Sequence, residues 1–121
     1  MTNTKTIKIL DYSSPFAENK DVARKIKNEL ILPVLDVGGK VVLDFKGIFG
    51  ATQSFIHALI SDLIRKYESN VFNMMFFKNC SIDVKSVINI VADYMEESWR
   101  LKYLEITKNR FSSLLFTRAL C

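Results

Sequence analysis

Two glycines, Gly47 and Gly50, separate an apolar run from a helical stripe. Before them stands Lys40-Val41-Val42-Leu43-Asp44-Phe45, whose nearly continuous apolar side chains suit a central strand covered on both faces, with Asp44 near its end. After them Thr52-Gln53-Ser54 opens a stretch in which Phe55, Leu59, Leu63 and Tyr67 recur at helical spacing, with Ile56, Ile60 and Ile64 beside them. That pattern predicts a helix from Gln53 or Ser54 to Tyr67 with a broad face packed on a sheet. A strand that halts in a small polar loop and resumes as a helix points to an α/β chain. Function tends to sit at such a junction, because the sheet fixes the strand end and the helix start leaves backbone N–H groups free.

The rest of the chain fits this frame. Thr6-Ile7-Lys8-Ile9-Leu10 reads as a first strand, and Asp11 to Asn19, with Ser13, Ser14 and Pro15, as a loop. Asn19 is placed to cap a helix starting at Lys20 or Asp21, whose stripe is Val22, Ala23, Ile26 and Leu30. Leu32-Pro33 should end it, since the residue before proline is pushed out of the α region. Val71 to Phe77 reads as a third strand, and Ser81 or Asp83 as the cap of a helix with core positions Val84, Val87, Ile88, Val91 and Met95. Either that helix runs on for roughly 35 residues or a second begins near Ser98; we favour the break, with Ser98 as cap. The order β-α-β-α-β-α, with helices on a short mixed sheet and a C-terminal helical extension, requires at least one parallel crossover. Residues 1–97 form the expected domain, and 98–121 a basic amphipathic helix packed on it or on a partner, a second copy included.

Composition narrows the function. At 121 residues, 49% hydrophobic and 25% charged, the chain suits one globular domain. No apolar run approaches a membrane span, Met1 to Lys8 lacks a signal-peptide pattern, and Cys80 and Cys121 make no disulfide framework, so a reducing cytoplasm is expected. The net charge of +4 resides in the tail, where Arg100, Lys102, Lys108, Arg110 and Arg118 face only Glu105. Such a tail could touch nucleic acid or an acidic partner, although charge runs are more often a solvated helix face. His57 is the one histidine, no Cys/His cluster has metal spacing, and Gly47-Ile48-Phe49-Gly50 is no phosphate loop. Neither metal nor cofactor is expected. Ser54 and His57 could meet on one helix, but neither an orienting acid nor an oxyanion site accompanies them, so no enzyme is expected. The aromatics Tyr67, Phe72, Phe76 and Phe77 fit core spacing better than a base-stacking platform.

Val41 to Ile48, then Thr52-Gln53-Ser54-Phe55 and a long apolar helix, resemble the STAS-like domain family of unknown function found in bacteria and phages. Leu30 to Leu35 resembles a segment that precedes the strand in some members, and the resemblance spans roughly Ile7 to Tyr94. That family is in turn similar to the STAS domains of anti-sigma-factor antagonists. There a Leu-Asp strand is followed by Asp-Ser-Ser-Gly, and a histidine-kinase-like ATPase phosphorylates the second serine. Counted from Asp44, that serine falls on Ser54; Thr52 stands for the motif acid, Gln53 for the first serine and Phe55 for the glycine. Ile56-His57-Ala58 stands where many relatives carry acidic residues. The resemblance implies a regulatory protein-binding module without catalysis of its own. It implies docking through Asp44, Gly47, Gly50, Thr52, Gln53, Ser54 and His57, with Ser54 as the phosphorylation site. On the plainest alternative, Ser54 only caps its helix.

Overall fold

The computed structural model describes residues 3–102. Three strands, β1 (Thr4–Lys8), β3 (Lys40–Asp44) and β5 (Met75–Lys78), form a sheet in the order β1-β3-β5. Both ladders are parallel, with Ile7, Leu43 and Phe77 in one row. A mixed sheet was expected, but each strand is reached through a helical connection, which returns the chain in the same direction. A second parallel ladder joins β2 (Phe16–Ala17) to β4 (Gly50–Ala51), so the expected loop around Pro15 contributes a strand.

The first helix, α1 (Lys20–Ile26), starts where Asn19 caps it by accepting from the N–H groups of Asp21 and Val22. It does not stop at Pro33. Lys27–Ile31 widens into π turns, in which the Leu32 N–H reaches back to the Lys27 carbonyl, and α2 (Leu32–Leu35) follows. Pro33 then falls in the first turn of α2, where its missing N–H costs nothing. At the end of α2, Asp36 accepts from Lys66 Nζ at 2.8 Å and from the Tyr67 hydroxyl, which ties it to the far end of α3 (Gln53–Tyr67).

Helix α3 is the core's main element. Phe55, Ile56, Leu59, Ile60, Leu63 and Ile64 are all buried, as their spacing requires. Glu68, at φ 53°, turns the chain out of α3 into a 3-10 stretch, Glu68–Asn73. The expected strand at Val71 is therefore shorter, because an apolar residue buried in a turn cannot be distinguished by periodicity from one buried in a strand. The first strand is likewise displaced, with Ile9–Asp11 curling into a 3-10 turn. Helix α4 (Ile82–Lys102) is capped by the Ser81 hydroxyl, which accepts the Val84 N–H. Its core residues Val84, Ile88, Val91 and Met95 are buried. The helix crosses Ser98 without the expected break, since no proline or glycine interrupts it there. Residues 103–121, with the expected tail packing and its basic side chains, lie outside the described residues.

The core lies on one side of the sheet. Val41, Leu43 and Phe45 are fully buried, with the Phe45 and Phe77 rings 6.3 Å apart. On the opposite face Thr6, Lys8 and Lys78 are exposed, and Val42 and Phe76 half-buried. Among the described residues, coverage of both faces is thus only partial.

Candidate functional site

The small β2–β4 ladder positions the site. The Phe49 N–H donates to the Pro15 carbonyl and the Thr52 N–H to that of Ala17, each at 2.9 Å. These bonds hold the segment leading into α3 against the one leading into α1, so the two helices begin side by side. Gly50 permits this approach, since a Cβ there would lie 2.9 Å from the Phe16 ring. Gly47, at φ 85°, turns the chain between β3 and β4 beneath Leu10.

At the start of α3 the hydroxyls divide their roles. Thr52 is the cap, its Oγ1 accepting the Phe55 N–H at 3.1 Å. Ser54, in the first turn, is exposed and makes no hydrogen bond among the described residues. Capping is therefore not its task. Gln53 is exposed as well, and His57 is half-buried one turn on. No hydrogen bond joins Ser54 to His57, and none joins His57 to a carboxylate, among the described residues.

Gln53, Ser54 and His57 line a groove of about 660 Å³ between α1, α3 and α4. One wall carries Lys20 and Arg24 of α1 and Lys27 of the π segment that follows it, and the α4 wall Ile90, Val91 and Tyr94. The Lys27 side chain is 8% exposed, with Nζ 2.5 Å from Asp62 Oδ2, while Arg65 reaches Asp62 Oδ1. The hydrogen bond from Lys27 holds the Asp62 carboxyl below its ordinary value against the upward push of burial, helped by the charges of Lys27 and Arg65. Arg24 pairs with Asp21 on the exposed side, a contact worth little, and Lys20 has no carboxylate partner among the described residues.

The other expected contact residues do not join this groove. Asp44 is buried at the end of β3, where its Oδ1 accepts from the Lys46 N–H at 3.0 Å and from Asn79 Nδ2 at 2.9 Å. Burial pushes its carboxyl up, but those two bonds and the charges of Lys78 and Lys8 outweigh it, leaving the value lowered. Asp44 thus fastens the loop after β3 to the end of β5. Gly50 is buried, and Gly47 is exposed on the loop. Sequence reasoning passed over the aromatic pair that Phe49 of that loop makes with Phe16 of β2. Phe49 is 61% exposed and its ring lies 5.6 Å from that of Phe16. An aromatic residue set between two loop glycines was the available signal. It also passed over Lys20 and Arg24, for which only the tertiary structure supplies a connection to Ser54.

A short parallel sheet backed by helices, one of them entered from the glycine loop after the central strand, makes this a small α/β domain of STAS-like type. Residues 22–85 match the family model of the STAS-like domain of unknown function, more than half of the chain, and the chain belongs to that family. No curated protein and no solved structure matches it. The matched segment includes β3, the glycine loop and all of α3, whereas Lys20, Ile90 and Tyr94 fall outside it. Among the described residues no helix is long and apolar enough to cross a membrane, and no cluster of His, Cys, Asp and Glu suits a metal ion.

Proposed function

We propose that this domain is a non-catalytic regulatory module that docks a protein partner, an ATPase of the histidine-kinase-like class, through the loop from Gly47 to Ser54 and the start of α3. Phosphorylation of Ser54 is the switch. One observation carries this reading: Thr52 does the capping, which leaves the Ser54 hydroxyl exposed in the first turn of α3 and without a hydrogen bond among the described residues. A phosphoryl group there would gain from the helix dipole and lie in a groove shared with Lys20 and Arg24. It would also add about −1.5 to −2 charge to the docking face, enough to change a partner's affinity. Exposed Phe49 offers that partner an apolar anchor.

The test is a titration with an ATPase of this class encoded beside the chain's gene. Wild type and Ser54→Ala should bind alike, and Ser54→Asp about tenfold or more weakly. Incubation with ATP should add one phosphoryl group to wild type and none to Ser54→Ala. Equal binding by all three proteins, with no added mass, would refute the switch.

A further inference from the structure

We propose that the groove between α1, α3 and α4 binds a small phosphomonoester carrying an apolar or aromatic group. Its volume, about 660 Å³, suits a small organic molecule. One wall is cationic: Lys20 has no acid partner among the described residues, and the Arg24 pair with Asp21 is solvent-exposed and easily exchanged. The facing wall is apolar, with Ile90 50% and Tyr94 67% exposed, so a ring or hydrocarbon would cover surface now left to water.

Ser61 points most directly to a ligand. It lines the groove at 4% exposure, and its hydroxyl makes no hydrogen bond among the described residues. Burying a hydroxyl without a partner is costly, and a ligand oxygen in the groove would supply one. The first turn of α3 faces the same space with Gln53 and Ser54, where the helix dipole favours negative charge. A phosphomonoester offers more acceptor oxygens and more negative charge than a carboxylate to donors arriving from two helices. This inference stands apart from the docking proposal, because it needs Lys20, Arg24 and Ser61 but no modification of Ser54.

The experiment titrates the full chain with phenyl phosphate, inorganic phosphate and benzyl alcohol, following backbone amide shifts by NMR. Phenyl phosphate should bind saturably, shifting the starts of α1 and α3, and about tenfold or more tightly than either other compound. The double variant Lys20→Gln, Arg24→Gln changes only exposed side chains, so circular dichroism should be unchanged while phenyl phosphate affinity falls about tenfold or more. Ser61→Ala should weaken binding about threefold to tenfold. Absence of saturable shifts at millimolar phenyl phosphate, affinity matched by inorganic phosphate, or unchanged affinity in the double variant would each overturn the proposal.

Discussion

Thr52 and Ser54 flank Gln53 with the same chemical group and opposite duties. Thr52 satisfies a backbone N–H that the first turn of α3 would otherwise leave unpaired, so Thr52→Ala should lower stability by about 1 kcal/mol in urea unfolding. Ser54→Ala removes no bond among the described residues and should stay within about 0.5 kcal/mol of wild type. A reversal of those two results would make Ser54 a structural cap after all. Ser61 differs from both, being buried in mid-helix without a hydrogen-bond partner among the described residues. Ser61→Ala should raise stability by about 0.5–1 kcal/mol, since alanine favours the helix and no hydroxyl is then left unsatisfied. A residue that weakens the fold in this way is what a binding site is expected to contain.

At the scale of elements, two strands of two residues each have an effect out of proportion to their length. The β2–β4 ladder brings two helix starts together that lie far apart in sequence, and the groove exists because of it. Gly47 lets the chain turn into β4. Gly47→Ala would impose a side chain at φ 85° and should cost about 1–2 kcal/mol, measured by the same unfolding experiment. The α1 region shows how a local rule yields to its surroundings. The proline rule ends a regular α-helix before Pro33, but one widened π segment resets the hydrogen-bond register and a new helical turn begins with the proline inside it. Functional sites often lie near such segments, and here Lys27, the first residue of the π segment, supplies the buried cation of the groove.

For the molecule as a whole, acid should be the more damaging direction of pH. Asp62 and Asp44 both have carboxyls held below their ordinary range. Their contribution is therefore complete above the unfolded value of about 4 and is lost as pH falls through the lower folded values. Asp62→Asn leaves Lys27 buried without its counter-charge. It should cost about 1–2 kcal/mol at neutral pH, less than for a fully buried pair because Asp62 is half exposed, and the fall in stability with acid should become shallower. Thermal unfolding from pH 7 to pH 3 would read both effects. The sequence by itself determined the elements whose signals are local: α3 from its apolar period, the Asn19 cap, the buried strand at Val41, and the glycine loop between them. It could not choose between the hydroxyls of Thr52 and Ser54, because the bond that decides depends on which residue leaves the extended backbone last. Nor could it place Lys20 and Arg24 beside Ser54, pair Phe16 with Gly50, or carry the first helix past Pro33. Those outcomes belong to tertiary structure, because each depends on a contact between segments whose separation in the chain carries no periodic signal.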